Sequence, residues 1–256
     1  MNNRLTQNLS EIKPSKQLSI VAALILIYIV LFEFVFIPVR FIPKPSILFE
    51  SFMSLWDSYN LAALLFSTTS IIYISLLLGS MLVTFSAKYL LKIIYEYPGI
   101  LNLSTPFKYF TVFFFAIIFN LWFSDSFIAE FIFAILFVFA FIISSLITES
   151  KKEKEEYVLA ARSLGLNKDE IYSKIIWKEL QPKIFGGLLK LHVSLWMIVL
   201  IYEFVGQTEG VGALYFSAYQ YNDIGAIIAL GILISLLILI GNMLIKYLNN
   251  KIFFWE

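Results

Sequence analysis

Among the side chains that can ionise inside long apolar runs of this sequence are Glu33, Glu130, Lys190, His192 and Glu203. Such groups are costly in a hydrocarbon environment and mark pairing or functional positions, so they are the first candidates for chemistry. The chemistry open to them is narrow. The chain has no Cys, which removes thiolate nucleophiles, disulfides and Cys-ligated metals, and the single His192 cannot build a His-rich metal site. None of the eleven glycines is followed by Lys, so the phosphate-cradling Gly-x-x-x-x-Gly-Lys loop is absent. No acidic pair or histidine pair falls within the apolar runs, as a membrane-embedded enzyme would require. Glu33 and Glu130 lie toward the ends of their runs, where pairing or reaching to the headgroups is expected. Lys190 is placed to snorkel, and His192 to be a hydrogen-bonded core residue. Glu203 lies beside Gly206 and shortly before Gly210 and Gly212. These four are the candidates for a pore or outer gate, with a role for Glu203 in holding the segment 207–223.

The elements that position these residues follow from composition. The 256 residues are 60% hydrophobic and 14% charged, with a mean hydropathy of +0.84, against about 45–50% and about 25% for a soluble domain. A membrane-spanning helix takes roughly 20 apolar residues. Six runs qualify: 18–38, 61–91, 107–123, 127–148, 184–205 and 224–245. The expected fold is therefore all-α, a polytopic membrane protein with six transmembrane helices. It has a tail over 1–17, a transmembrane domain over 18–256 and a long loop over 149–183. Ser67, Thr68, Thr69, Ser70 and Ser75 suggest that the second span is buried among other helices. The first run is too long for a signal peptide and lacks a small-x-small site after it. Lys and Arg favour the cytoplasmic side, and with a cytoplasmic N-terminus only Arg40 and Lys44 fall outside. The net charge of +1 gives no basic field for nucleic acid.

Two segments on the outer side carry structure of their own. After Pro43 and Pro45, Ser46–Glu50 opens an amphipathic helix at the interface, with Ser46 as the expected cap. The segment 207–223 holds Tyr215, Phe216, Tyr219 and Tyr221, aromatic rings suited to the headgroup level.

The loop 149–183 reads as helix, turn, helix. A charged turn from Lys151 runs into Tyr157-Val158-Leu159-Ala160-Ala161-Arg162-Ser163-Leu164, and Gly165 ends it, because glycine takes the left-handed conformation without steric cost. Asn167 and Glu170 form a variant capping box for the next helix, and Pro182 is expected to start the break before span five. The first helix presents an apolar surface with Tyr157, Leu159, Ala160, Ala161 and Leu164. That surface suits either a cytoplasmic partner or the bilayer.

Ala160-Ala161, Gly165, Ile175 and the following Pro182 resemble the EAA loop of binding-protein-dependent ABC transporter permeases, with Leu159 in place of the motif's Glu, Trp177 in place of its Leu and Lys178 in place of its first Pro. Pro43-Lys44-Pro45-Ser46-Ile47-Leu48, and Tyr202-Glu203-Phe204-Val205-Gly206 with Glu209-Gly210-Val211-Gly212, are similar to segments of the nitrate/sulfonate/taurine-type permeases. The resemblance implies a type I importer of the bacterial cytoplasmic (inner) membrane, with both termini cytoplasmic. Its partners would be ABC ATPase subunits, a second permease copy or paralogue, an extracytoplasmic substrate-binding protein and the lipid bilayer. ATP would be bound by the partner subunit, with no cofactor in this chain. Tyr157, Leu159, Ala160, Ala161, Arg162, Leu164 and Gly165 would couple to the ATPase. An energy-coupling-factor transmembrane component is the nearest alternative, but it carries two Ala-Arg motifs where this chain has one.

Overall fold

The computed structural model describes residues 14–35, 42–97, 111–123, 127–150 and 161–253. Among them the chain is all-α: α1 (Pro14–Val30, continued by a wide turn over Leu31–Val35), α2 (Pro45–Ser58), α3 (Leu61–Glu96), α4 (Val112–Trp122), α5 (Phe127–Ser150), α6 (168–186), α7 (Leu188–Gly206), α8 (Val211–Gln220) and α9 (Ile224–Ile252). α3, α5, α7 and α9 are long and apolar enough to cross a membrane. The described parts of α1 and α4 are apolar but shorter, and the rest of the first and third expected spans lies outside the described residues. Large apolar side chains face outward along the long helices, as Phe66 and Phe85 do at 75% and 79% exposure. That is the lipid-facing surface of an integral membrane protein.

Contacts divide the chain into two units, Met1–Tyr59 with Ala218–Gly231, and Asn60–Ser217 with Ile232–Glu256. In the first, Glu33 accepts hydrogen bonds from the N–H of Ser46 at 3.2 Å and from its hydroxyl at 3.0 Å. The expected cap is thereby corrected. Lys44 occupies the N-cap position without a side-chain bond and Pro45 begins the helix, where its missing N–H costs nothing. The carboxylate from α1 satisfies the free donors instead of the Ser46 hydroxyl. In the same unit Asp223 caps α9, accepting the Ala226 N–H at 2.9 Å.

The second unit is the bundle that holds the candidate residues. α3 packs along α5, and α7 packs against α3, α4 and α5. Thr68 and Ser75 are fully buried on α3, while Thr69, Thr84 and Ser86 return their hydroxyls to carbonyls four residues back, which lets polar side chains sit in an apolar helix. His192 on α7 is buried and bonded on both ring nitrogens: Nε2 lies 3.0 Å from the Trp196 indole nitrogen and Nδ1 lies 2.9 Å from Asn242 Oδ1 on α9. An indole N–H only donates, so Nε2 accepts and the ring proton sits on Nδ1. A Cβ at Gly241 would run into Tyr73 of α3 and His192 of α7, so three helices converge here because this position of α9 is bare.

The break expected at Pro182 is not there. Helix 168–186 runs through it, built from Lys168–Glu170, a wide-turned stretch Ile171–Ile176 and Trp177–Gly186, and it yields only at Gly187. Proline removes one main-chain donor, the one that would reach the Lys178 carbonyl, and Pro182 itself is buried. One lost hydrogen bond is tolerated where the flanking turns pack.

Candidate functional site

Two clusters occupy opposite ends of α3. At its C-terminal end lies the loop that ends in Gly165. Tyr157, Leu159 and Ala160 lie outside the described residues. Ala161, Arg162 and Ser163 form the last helical turn, and Gly165 follows at φ +79°. The Gly165 N–H donates to the Arg162 carbonyl at 3.0 Å and the Leu166 N–H to the Ala161 carbonyl at 3.2 Å. This is the paired closure that a left-handed residue makes possible at a helix end. The next helix starts at once: Asn167 Oδ1 accepts the Glu170 N–H at 2.9 Å and Glu170 accepts the Asn167 N–H at 3.2 Å, the reciprocal box expected from the sequence. Ala161 is turned into the chain's own interior, at 4% exposure, whereas Leu164 is 80% exposed. The outward surface of this turn is thus made by Arg162, Ser163, Leu164 and Gly165.

This turn is fastened to α3. Lys88 Nζ lies 2.9 Å from Asp169 Oδ2, Lys168 Nζ lies 3.7 Å from Glu96 Oε1, and the rings of Tyr95 and Tyr172 stack at 5.7 Å between centroids. The Lys88 ammonium bonded to Asp169 holds that carboxyl below the usual range, and Lys174 does the same for Glu170.

At the N-terminal end of α3 lies Glu203, fully buried near the end of α7. Its Oε1 accepts the Thr68 hydroxyl at 2.6 Å and its Oε2 accepts the Gly212 N–H at 2.6 Å, while Thr68 Oγ1 accepts the Val211 N–H at 3.0 Å. Together Thr68 and Glu203 satisfy the free donors at the start of α8. The glycines make this closeness possible. A Cβ at Gly210 would overlap the Glu203 carboxyl, and one at Gly212 would overlap the Leu200 carbonyl and the Glu203 Cβ. Gly206 lies against Asn120 of α4 in the same way. All four candidates, Glu203, Gly206, Gly210 and Gly212, therefore belong to one constellation.

Three partners were not legible beforehand. Thr68 was visible only as one of a run of hydroxyl residues. Thr208, whose hydroxyl donates to Glu130 Oε2 at 3.3 Å, carried no signal. Glu130 does not reach toward the headgroups: it is 1% exposed and its carboxyl adjoins that of Glu203. An acidic pair absent from any single run is thus assembled across α5 and α7. The two acids sit 73 positions apart, so only helix packing brings them together.

No curated protein and no solved structure matches the chain. A family model described as binding-protein-dependent transport system inner membrane component matches residues 99–254. The match spans α4 to α9, including the Gly165 turn and Glu203 with Gly206, Gly210 and Gly212, and leaves α1 to α3, with Thr68, outside. It covers more than half of the chain, which therefore belongs to the family of binding-protein-dependent transport system inner membrane components.

Proposed function

We propose that this protein is the permease subunit of an ATP-driven importer, forming the translocation pathway for a small solute that a substrate-binding protein delivers from outside. It works with a second copy or a paralogue of itself and with two cytoplasmic ATPase subunits, which bind and hydrolyse the ATP. The sorting of Lys and Arg supports cytoplasmic termini, with the Gly165 turn on the cytoplasmic side and the Glu203 constellation on the outer side.

The observation that carries this reading is the double attachment of α3. Its C-terminal end is tied to the Gly165 turn through Lys88–Asp169, Glu96–Lys168 and Tyr95–Tyr172, and its N-terminal end is tied to Glu203 and α8 through Thr68. At about 1.5 Å per residue its 36 residues span about 54 Å. Closure of ATPase subunits against Leu164 and Gly165 would push on a rigid rod whose far end holds the segment after α7. Ala161 seats the turn on the chain's own bundle, and Arg162 is free to pair with an acidic group of the ATPase. Coupling requires such an element with two arrangements.

The test is reconstitution of the chain with its ATPase and binding protein in liposomes. Gly165→Val and Leu164→Asp should insert normally and abolish ATP-dependent uptake. Normal uptake in both variants would overturn the assignment.

A further inference from the structure

Beside the acidic pair, in the same unit, lies a cavity of about 390 Å3 lined by Phe127, Glu130, Gln207, Thr208 and Glu209. Its size falls within the range of small-molecule sites. Its lining is one-sided: two carboxyls, an amide, a hydroxyl and an aromatic ring, with no basic side chain. At the cavity Glu130 spends Oε2 on Thr208, while among the described residues no donor other than the adjoining Glu203 carboxyl is in reach of its Oε1, although the residue is 99% buried. A buried oxygen left without a donor is destabilising. Glu130 meanwhile adjoins Glu203, and among the described residues neither acid is in an ion pair. Among the described residues this corner offers acceptors and no positively charged hydrogen-bond donor. The rim offers the complementary features, since Phe127 presents an exposed ring to a cation and Glu209 adds an exposed second carboxylate.

We infer that this cavity is a binding site for a small organic cation, an alkylammonium group that donates to Glu130 Oε1, is flanked by Glu209 and lies against the ring of Phe127. The site belongs to the chain alone and does not depend on the direction of transport or on the ATPase, so it stands or falls separately from the coupling proposed above. It predicts a charge preference opposite to that of the nitrate/sulfonate/taurine-type permeases that the sequence resembles. An ammonium could arrive on a free solute or on a lysine of a docking protein, and the two are separable by probe.

The experiment is isothermal titration of the full-length protein in dodecyl maltoside micelles. The probes are butylammonium, putrescine and Nα-acetyl-lysine amide, with butyrate and sodium chloride at matched ionic strength as controls. The expected result is saturable binding of the ammonium probes only, weakened about tenfold by Glu130→Gln and several-fold by Glu209→Gln. Phe127→Leu should weaken it by a smaller factor. Tighter binding of the diamine assigns the site to a free solute, and tighter binding of the lysine mimic assigns it to a protein side chain. Glu209 and Phe127 are exposed, so those variants report even where Glu130→Gln disturbs the fold. Heats no different from sodium chloride, binding of butyrate, or ammonium binding unchanged in both exposed-residue variants would overturn the inference.

Discussion

The Thr68 hydroxyl donates to Glu203 at 2.6 Å while accepting the Val211 N–H at 3.0 Å, so one buried oxygen on α3 joins the end of α7 to the start of α8. Both bonds are lost if the hydroxyl is replaced by a methyl group of the same shape. Thr68→Val should cost about 2–4 kcal/mol, because it leaves a buried acceptor and a buried donor unpaired. Thr68→Ser, which keeps the hydroxyl, should recover most of that. Denaturation of the purified protein in micelles, read by tryptophan fluorescence, measures both. Equal stability of Thr68→Val and the parent would show that these bonds do not hold α8.

Gly210 and Gly212 are both crowded by Glu203 but should respond differently. The Cβ of Gly212→Ala meets main-chain atoms of Leu200 and Phe204, which cannot move without bending α7, so overpacking should cost about 1–3 kcal/mol or more. The atoms nearest the Cβ of Gly210→Ala all belong to the Glu203 carboxyl, a side chain that can swing away. That variant should keep most of its stability and lose uptake, because Glu203 leaves the Gly212 N–H. Unfolding and uptake assays on the two variants separate these outcomes.

Gly165 is a case of backbone conformation rather than space. Among the described residues nothing lies within 4 Å of where its Cβ would be, yet φ is +79°. A β-branched residue should cost about 1–2 kcal/mol there through strain alone, and Asn, which tolerates this region, should cost less. Gly165→Asn should therefore retain more uptake than Gly165→Val, although its side chain is the more polar of the two.

Much of this was legible in the sequence, for reasons that particular residues make clear. Local signals translated directly: Gly165 ends a helix, and Asn167 with Glu170 starts the next, because each acts within a few residues. Apolar length located α3, α5, α7 and α9 to within a turn or two at most ends. The signals that failed depended on neighbours distant in the chain. Ser46 looked like a cap because nothing local revealed that Glu33 would take its place. Pro182 looked like a break because propensity cannot weigh packing around a lost hydrogen bond. Glu130 left pairing and reaching for the headgroups both open, because its partners, Glu203 and Thr208, lie on other elements.

The Lys88–Asp169 pair gives the attachment of the Gly165 turn a pH dependence of defined sign. Asp169 has its carboxyl held below the usual range by Lys88, so the protonated form is disfavoured when the turn is docked. The stabilisation is complete above the ordinary Asp value of about 3.9 and is lost as pH falls through the lowered value. Amide exchange over residues 161–170 should stay protected from neutral pH down to about 4 and lose protection below it. Lys88→Gln should lower the protection at neutral pH and flatten its fall below about 4, because Asp169 then titrates nearly alike docked and undocked. High salt should weaken the protection as well, since both partners are partly exposed.

Reversal of that same ion pair tests the transmission through α3 most directly. Reconstituted with its ATPase and binding protein, Lys88→Glu places two acids together and should cut uptake about tenfold or more while ATP hydrolysis continues. Adding Asp169→Lys restores an opposite-charge pair with its direction reversed, and should recover most of the uptake. Uptake per ATP hydrolysed that is normal in the single variant, or no better in the double variant than in the single, would contradict the claim that the Gly165 turn acts on the Glu203 end through α3.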